Sequence, residues 1–539
     1  MVILQNVSYI HPNRDLLFDN INLVLNTHEK VALIGNNGIG KSILLKIIAK
    51  ELPISDGQLK IADKPYYIPQ VFGQYNHLTI AQAMGIDDKL NALREILNGI
   101  ATEENYTLLD DDWTIEERCN EGLKHWQLHD LKLTQKMGTL SGGQKTKVFL
   151  AGVSIHQPEF ILMDEPSNHL DISSRQLLYD FIQSTSATLL VTSHDRKLVN
   201  LLDKICELSK QGIITYGGNY DFYKEQKQIQ NNALLQDVHS KERAFRKAKE
   251  KEHEALEKQQ KRDAKAKRNL EKAGLPKIVS NTWKNSAENS SSKMKSVHAE
   301  KRGDLSLELQ ELRSSLPDTD KMKFGFDNSS LHRGKVLFKA DNINWTYHDQ
   351  FLWEENLSFQ LTSGERIVLR GTNGSGKTTL IRVILGNLEP QIGTLYRAEN
   401  KSVYIDQDYS LIDNQLNVYE QAQSFNSSAL LEHEIKIRLN RFLFTKEDWG
   451  KACSTLSGGE RMRLMLCCLT IHNQSPDIII LDEPTNNLDI QNIEILTSAI
   501  NAYQGTLIVV SHDEYFLEQI NIERAITLFL KKDLKANNW

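Results

Sequence analysis

Four short motifs occur twice in this chain of 539 residues, in the same order each time. They begin at residues 35, 140, 162 and 192 in the first half and at residues 371, 456, 481 and 510 in the second. The pairs are GNNGIGKS and GTNGSGKT, LSGGQ and LSGGE, LMDEPSNHLD and LDEPTNNLD, and TSHD and VSHD. An ordered repeat of this kind means that each half builds the same domain. The sequence therefore predicts two equivalent domains, each of roughly 200 residues.

The segment between the two halves has a different composition. Residues 222–272 contain no Gly or Pro and are rich in Glu, Lys, Arg, Gln and Ala, which predicts a long solvated helix. Gly274, Pro276 and a Ser/Asn cluster break this pattern, and a second helical stretch runs to about residue 316. We expect an antiparallel hairpin with a leucine seam drawn from Leu305, Leu307, Leu309, Leu312 and Leu316. The predicted domains are residues 1–218, the linker 219–331 and residues 332–539.

The linker also concentrates positive charge. Residues 241–302 hold 19 Lys and Arg against 9 Asp and Glu, a local net charge of 19 − 9 = +10. Since the whole chain carries −6, the remainder carries −6 − 10 = −16. A basic segment on an acidic body indicates a polyanionic partner that is met at that segment. A solvated coiled coil whose charge serves only solubility is the alternative.

The sequence offers no signal for a membrane, a secretory pathway or a zinc site. There is no run of about 18 apolar residues, and the first residues lack the pattern of a signal peptide, so we expect a cytoplasmic protein. Cys119, Cys206, Cys453, Cys467 and Cys468 form no C-x-x-C pair, and we expect them to be core thiols.

The first repeated motif is a phosphate-binding loop in its required context. In each half an apolar strand runs into G-x-x-x-x-G-K-[ST], which precedes an apolar helical stretch. Backbone N–H groups of such a loop surround phosphates, its Lys reaches the β- and γ-phosphates, and its hydroxyl residue ligates Mg²⁺. The predicted ATP-binding residues are Gly35, Asn36, Asn37, Gly38, Ile39, Gly40, Lys41 and Ser42, and Gly371, Thr372, Asn373, Gly374, Ser375, Gly376, Lys377 and Thr378.

An acidic pair ends an apolar strand in each half: Asp164-Glu165 and Asp482-Glu483. The carboxyl ends of buried parallel strands line the ligand crevice of open α/β sheets. We expect the aspartates to hold Mg²⁺ and the glutamates to polarise the water that attacks the γ-phosphate.

The LSGGQ and LSGGE segments supply a hydroxyl and backbone amides at the start of a helix, which is a second anion-binding surface. Together, the repeated motifs resemble the ATP-binding cassette ATPases, in which the P-loop of one domain and the signature segment of the other enclose the nucleotide. The resemblance implies an ATPase with two α/β cassettes, each with a mixed sheet, flanking helices and a helical subdomain, joined by the helical hairpin linker. It adds nucleotide contacts from Ser141, Gly142, Gly143 and Gln144, and from Ser457, Gly458, Gly459 and Glu460.

The resemblance assigns further residues by their position in the motifs. It implies that Lys41 works with Ser457 and Lys377 with Ser141 in two composite sites. Its remaining assignments are Gln70 and Gln407 as glutamines that sense Mg²⁺ and water, His194 and His512 as γ-phosphate switch histidines, Asp171 and Asp489 as interdomain acids, and Tyr347 as an adenine-stacking residue. In the first half His11 aligns with Tyr347, and Tyr9 is either a substitute stacking residue or part of the strand packing.

Tandem cassettes with a basic helical linker resemble the ABC-F family of ribosome-associated ATPases. The resemblance implies a monomer with intramolecular cassette pairing, which binds near the tRNA exit site and contacts rRNA and tRNA. Lys277, Trp283 and Lys284 are then the linker-tip residues suited to RNA. Such a protein serves as a translation factor or protects ribosomes from antibiotics. The spacing from Gln70 to Leu140 exceeds that from Gln407 to Leu456 by 70 − 49 = 21 residues, which predicts a short arm around residues 87–104, and we expect no C-terminal coiled coil.

Two other classes remain as alternatives. Some membrane importers use tandem cassettes on one chain as their ATP-hydrolysing subunit, but such a subunit has little use for a basic linker of this length. DNA-repair ATPases carry zinc modules or very long coiled coils, and neither fits the cysteine spacing or the linker length, so no DNA partner is expected.

Overall fold

The computed structural model describes residues 1–209, 211–273, 300, 302–313, 332–347, 350–372, 374–427, 429–471, 476–486 and 488–530. Side chains are described for these residues except 259, 263, 266–273 and 347. The chain forms two compact units, one comprising Met1–Tyr223 with Met322–Trp539 and the other Lys224–Lys321. The domain limits predicted from the sequence stay a prediction.

The first cassette contains two sheets. An antiparallel sheet has the order β2-β1-β4, and a larger sheet has the order β5-β6-β7-β3-β8-β9, in which only β9 runs antiparallel to its neighbour. The strands are β1 (Val2–Ile10), β2 (Leu16–Leu25), β3 (Lys30–Ile34), β4 (Asp56–Ile61), β5 (Tyr66–Ile68), β6 (Phe160–Asp164), β7 (Thr188–Thr192), β8 (Lys204–Ser209) and β9 (Gly212–Tyr216).

The helices of the first cassette pack on this framework. They are α1 (Lys41–Ile48), α2 (Ile80–Met84), α3 (Asp87–Leu97), α4 (Glu103–Leu109), α5 (Ile115–His125), α6 (Gly142–His156), α7 (Ile172–Ser184) and α8 (Arg196–Asn200). The paired helices α3 and α4 lie where the spacing of the motifs predicts a short arm.

The linker unit contains α9 (Tyr220–Ala273) from Lys224 onward and a second helix, α10, at residues 302–313. Arg313 Nη2 lies 2.6 Å from Glu242 Oε1, and Arg302 Nη1 lies 3.2 Å from Glu252 Oε2. Because the partner number rises on α9 as it falls on α10, the two helices run antiparallel, as predicted. The tip residues Lys277, Trp283 and Lys284, and Leu316 of the predicted seam, lie outside the described residues.

The second cassette repeats the architecture. Its antiparallel sheet has the order β13-β10-β15, its parallel sheet has the order β16-β17-β18-β14-β19, and β11 pairs with β12. The strands are β10 (Val336–Asn344), β11 (Thr346–Tyr347), β12 (Gln350–Phe351), β13 (Leu357–Thr362), β14 (Arg366–Arg370), β15 (Ile392–Arg397), β16 (Ser402–Ile405), β17 (Ile478–Asp482), β18 (Thr506–Val510) and β19 (Arg524–Thr527). The helices are α11 (Lys377–Ile384), α12 (Val418–Ser424), α13 (Glu432–Arg441), α14 (Gly458–Ile471), α15 (Ile490–Ala502) and α16 (Glu514–Gln519).

The parallel sheets are buried on both faces, which explains the apolar runs that precede the motifs. All five residues of β6 and of β7 are buried. In each cassette one hydrophobic cluster covers the helical side of this sheet and a second fills the space toward the antiparallel sheet. All five cysteines are buried and free, as expected. A rigid core therefore holds the strand ends at which the motifs lie.

Candidate functional site

The central strands of the large sheet bring four predicted segments together in each cassette. In the order β5-β6-β7-β3, Gln70 follows the first strand, the acidic pair lies at the end of the second, His194 follows the third and the P-loop follows the fourth. The order β16-β17-β18-β14 does the same for Gln407, the second acidic pair, His512 and the second P-loop. Because these strands are parallel, their carboxyl ends form one edge, where open α/β sheets bind ligands.

The P-loops fold around their own lysines. Lys41 Nζ donates to the carbonyl oxygens of Gly35 and Asn36 at 2.7 and 3.2 Å, and Lys377 Nζ contacts those of Gly371 and Thr372 at 2.8 and 3.2 Å. Burial lowers the pKa of Lys41, while the nearby carboxylates of Glu165, Asp489 and Asp164 oppose this shift.

Glycine is required where each loop enters its helix. Gly40 and Gly376 cap α1 and α11 in the left-handed region, at φ 106° and 88°. A Cβ on Gly40 would come within 2.8 Å of Leu17, and one on Gly376 would come within 2.5 Å of Leu352. Of the other predicted P-loop residues, Lys41, Ser42, Lys377 and Thr378 lie in the first turn of the helix, and the remaining described ones lie in the loop. Asn373 lies outside the described residues.

A cavity in the first cassette collects most of the predicted site residues. Its wall contains Lys41, Ser42, Gln70, Asp164, Glu165 and His194, with Asn37, Gly38, Gly40 and His11. Every residue of this wall belongs to the first cassette, so Ser457 of the opposite signature segment is not part of it. Tyr9 packs in the core beside Phe18, which supports the reading of that residue as strand packing. The side chain of Tyr347 is outside the described part of the chain.

Tyrosines that sequence reasoning missed help to position the aspartates. Tyr67 Oη donates to Asp164 Oδ2 at 3.4 Å, and Tyr404 Oη donates to Asp482 Oδ2 at 2.9 Å. In the first cassette Thr192 Oγ1 also donates to Asp164 Oδ1 at 2.6 Å. The sequence signal was available, because both halves carry Tyr three residues before the predicted glutamine.

Glu165 and Glu483 have left-handed backbones, at φ 51° and 48°, which is uncommon for residues other than Gly. The backbone N–H of Glu165 donates to Thr192 O at 2.9 Å, and that of Glu483 donates to Val510 O at 2.8 Å. These hydrogen bonds to the next strand hold the unusual turn at the sheet edge.

Each glutamate contacts the histidine of the next strand. His194 Nε2 lies 3.2 Å from Glu165 Oε1, and His512 Nε2 lies 3.2 Å from Glu483 Oε1. The first contact is not a hydrogen bond, since Glu165 Oε1 is buried without a hydrogen-bond partner among the described residues. His194 Nδ1, the other ring nitrogen, is also buried and has no partner among them. Buried orphan atoms on a cavity wall suit a ligand that supplies their partners.

Burial perturbs these groups strongly. It raises the pKa of Glu165 to about 8, although Lys41 opposes the shift, and it raises the pKa of Glu483 to about 7. It also lowers the pKa of His512 to about 4 and that of His194 well below its usual value. Carboxylates with pKa values near neutrality in a ligand cavity are suited to general base work.

The signature segments begin helices, as predicted, and the same reciprocal hydrogen bonds cap both first turns, between Ser141 and Gln144 and between Ser457 and Glu460, but the charged Glu460 makes additional contacts. Ser141 and Gln144 form a reciprocal capping box at the start of α6. In α14, Ser457 Oγ donates to Glu460 Oε2 at 2.7 Å, and Lys451 Nζ lies 2.7 Å from Glu460 Oε1. Gly142 and Gly143 lie against His169, and Gly459 lies against Asn492; a Cβ would clash at Gly143 and Gly459 and would be tightly packed at Gly142. Burial alone would raise the pKa of Glu460, but the hydrogen bonds from Lys451 and Ser457 lower it.

The two cassettes touch at the first P-loop. The backbone N–H of Asn37 donates to Asp489 Oδ2 at 2.8 Å, and Asp489 is 4% exposed. The other oxygen of Asp489 accepts from Asn492 N at 2.8 Å and caps α15. Asp171 caps α7 in the same way. An interdomain acid of the second cassette therefore lies on the phosphate-binding loop of the first.

Paired P-loops, acidic strand ends and signature helices define a nucleoside triphosphatase built from two cassettes. A family model described as ABC transporter matches residues 18–168 and 355–486. Among the described residues, no helix is long and apolar enough to cross a membrane.

Curated relatives match along nearly the whole chain. It is 31% identical to the putative ATP-binding protein YdiF of Bacillus subtilis, over 94% of this chain and 77% of that protein. It is 28% identical to the energy-dependent translational throttle protein EttA of Escherichia coli, over 96% of this chain and 90% of that protein. The solved structure of an RNase-L Inhibitor shares the fold, with a TM-score of 0.60 and 19% identity over 98% of this chain and 91% of that one.

The chain belongs to the ATP-binding cassette ATPases and, within them, to the ABC-F family. It binds and hydrolyses ATP.

Proposed function

We propose that this ATPase acts on the ribosome through its basic linker near the tRNA exit site, as a translation factor or as a protein that protects ribosomes from antibiotics. The observation that carries the proposal is the net charge of +10 on residues 241–302 of a chain that is otherwise acidic. Phosphate backbones bind such a segment by releasing counterions. The similarity to a protein named translational throttle supports this choice of partner. A protein that acts on the ribosome works in the cytoplasm, and we propose that location for this chain.

The linker presents its charge on a defined scaffold. Val238 of α9 and Leu309 of α10 are buried, while Lys247, Lys249 and Lys251 are exposed. We propose that these apolar groups help the ion pairs between the helices to hold the hairpin together, and that the exposed lysines meet phosphates. We propose that rRNA and tRNA are the polyanions that they meet.

For the ATP sites we propose the following roles. Lys41 and Lys377 leave their loop carbonyls to bind the β- and γ-phosphates, and Glu165 and Glu483 accept a proton from the attacking water. His194 and His512 contact the γ-phosphate, and the signature segments of the opposite cassettes, with Ser457 and Ser141, complete the two sites. Tyr347 stacks on the adenine in the second cassette.

The donor set around the acidic pair fits Mg²⁺. Hydroxyl, carboxylate and amide oxygens are the ligands that this ion prefers, and Ser42, Gln70 and Asp164 share one cavity wall. We propose that these residues and Thr378, Gln407 and Asp482 hold the ion, which neutralises charge on the phosphates. Hydrogen bonds from Tyr67 and Tyr404 fix the aspartates that would face it.

The proposal is tested by co-sedimentation with ribosomes. The double variant Glu165→Gln/Glu483→Gln with ATP should retain both nucleotides, pellet with ribosomes and arrest translation, whereas the wild type with ADP should not. If the double variant binds ATP but stays in the supernatant, the ribosome proposal is wrong and membrane partners of a transporter become the next search.

A linker variant makes this test specific. Replacing Lys247, Lys249, Lys251 and Lys261 by Gln should weaken the pelleting and reduce its dependence on salt, because each lost phosphate contact lowers the slope by about 0.7 to 0.9. The matched control replaces four exposed lysines of the first cassette, Lys60, Lys64, Lys124 and Lys132, and should pellet normally. Translation with and without ribosome-binding antibiotics then separates drug protection from translational control.

A further inference from the structure

A tyrosine of α7 holds the loop that carries the first switch histidine. Tyr179 Oη donates to Asp195 Oδ2 at 2.6 Å, and Asp195 directly follows His194 in the chain. Tyr179 is only 7% exposed, and Lys197 Nζ lies 5.4 Å from the centroid of its ring. The hydroxyl therefore reaches the loop from a side chain that has little freedom to move.

The carboxylate of Asp195 passes this support on to the backbone. Its other oxygen, Oδ1, accepts from the backbone N–H groups of Lys197 and Leu198 at 3.1 and 3.2 Å and so caps α8. In the part of the chain that the structure describes, Oδ2 has no hydrogen-bond partner besides Tyr179. Without the tyrosine hydroxyl, one oxygen would lose its partner and the carboxylate would be free to turn.

The loop contributes two groups to the first ATP site. The side chain of His194 lies on the wall of the cavity that contains Lys41. The backbone N–H of His194 donates to Glu165 Oε2 at 3.2 Å. A displaced loop would therefore disturb both the histidine and the glutamate, whereas the lysine, which belongs to the P-loop, would keep its place.

The second cassette lacks this tyrosine. Tyr179 aligns with Thr497 in the repeated segments LDISSRQLLY and LDIQNIEILT, and Thr497 Oγ1 donates to Ile493 O at 2.8 Å within its own helix. The corresponding acid, Asp513, still caps α16, because it accepts from Phe516 N at 3.0 Å. Among the described residues, no tyrosine hydroxyl donates to Asp513. The second loop therefore keeps the helix cap but has no such support from the side.

We propose that Tyr179 positions the His194 loop of the first ATP site, and that the two ATP sites differ because the second site has no counterpart of this tyrosine. A group that is held in place before the reaction needs no reorganisation during it. Tyr179 acts through Asp195 and is therefore a positioning residue. The proposal rests on the proposed contact of His194 with the γ-phosphate.

The test isolates the two sites in the full chain. Glu483→Gln leaves the first site active, and Glu165→Gln leaves the second. In the Glu483→Gln background, Tyr179→Phe removes only the hydroxyl and should lower kcat about tenfold, the effect of one hydrogen bond to a charged group, with little change in KM for ATP. In the Glu165→Gln background the same substitution should leave turnover unchanged.

Thr497→Val is the matched control, because it removes the hydroxyl at the same position of the second repeat. It should leave turnover unchanged in both backgrounds. Equal losses from Tyr179→Phe in both backgrounds, or a raised KM with an unchanged kcat, would overturn the proposal in favour of a structural role. An unchanged kcat of the first site would overturn it as well.

Amide hydrogen exchange on the otherwise native chain tests the positioning without isolating the sites. Tyr179→Phe should lower the protection of the amides of Lys197 and Leu198, which Asp195 caps, and unchanged protection there also overturns the proposal. Full turnover of His194→Ala in the Glu483→Gln background would instead refute the assigned role of His194, and the exchange measurement would still decide whether Tyr179 holds the loop.

Discussion

Glu165 and Glu483 occupy the same position in the two repeats, yet their surroundings give them different acidities. Burial is the main cause of the raised pKa at both, about 8 for Glu165 and about 7 for Glu483. A general base acts only when ionised, so turnover rises as the pH passes its pKa. We predict that the acid limb of the pH–rate profile lies higher for Glu483→Gln, which reports the first site, than for Glu165→Gln. The double variant supplies the background rate, and a reversed order would contradict the prediction.

The same burial makes Glu165 costly for the folded, nucleotide-free protein. The pKa of Glu165 is about 8 in the folded protein, which is above its value in the unfolded chain. Below about pH 4.5 the carboxyl is protonated in both states and does not weaken the fold. As the pH rises through 8 the buried carboxyl must ionise, and the folded state loses stability. We predict that Glu165→Gln, which cannot ionise, raises Tm above that of the wild type by an amount that grows between pH 5 and 8.5. Thermal scans of both proteins measure this difference. The exposed Glu104→Gln serves as control and should show no such growth.

At the scale of single elements, the sequence predicted the strand ends correctly for a physical reason. Parallel strands buried on both faces are continuous apolar runs. The runs FILM at residues 160–163 and IIIL at residues 478–481 could therefore be recognised, and the acidic pairs could be placed at their ends. The repeated tyrosines could have been noticed in the sequence, but their aspartate partners could not be predicted from it. Tyr67 meets Asp164 only because β5 pairs with β6 in a register that aligns Ile68 with Met163, and such pairing between distant segments is not visible in one sequence.

The linker shows where a leucine pattern misleads. Leu305, Leu309 and Leu312 follow helical spacing, and Leu309 is buried, but Leu307 is two residues out of phase and 62% exposed, so its place in the predicted seam was wrong. An α-helix has 3.6 residues per turn, so the side chains of residues two positions apart lie on different sides of it. The leucine content alone could not select the face.

This difference gives a matched pair of variants within one helix. Leu309→Ala should loosen the hairpin by roughly 2 kcal/mol, the lower end for a buried leucine, and lower the amide protection of residues 302–313 about thirtyfold. Leu307→Ala removes the same atoms from an exposed site and should change protection little. Hydrogen exchange on the full chain measures both. Equal effects would show that the seam does not hold the hairpin together.

Across the whole molecule, the chain links its cassettes through contacts that are not symmetric. Arg196 Nη1 donates to Gln519 Oε1 at 2.9 Å, and Lys197 Nζ lies 3.6 Å from Glu514 Oε2. The residues after the two SHD motifs are Arg-Lys in the first half and Glu-Tyr in the second, so opposite charges meet only when unlike cassettes pair. This complementarity favours the pairing of a first cassette with a second one, and that the two come from one chain stays a prediction.

Through the contact of Asp489 with Asn37 the second cassette lies on the P-loop of the first, and we expect hydrolysis in the first site to depend on it. Asp489→Asn keeps a side chain that can cap α15 but removes the charged carboxylate oxygen that accepts the hydrogen bond from the backbone N–H of Asn37. Since hydrogen bonds to charged groups contribute about 1.5–3 kcal/mol, we predict at least a tenfold loss of turnover in the Glu483→Gln background, where only the first site works. Asp171→Asn is the counterpart in the other cassette and should leave that turnover nearly intact. If both substitutions lower it equally, the two interdomain acids act on the pairing of the cassettes as a whole and not on the P-loop that each one faces.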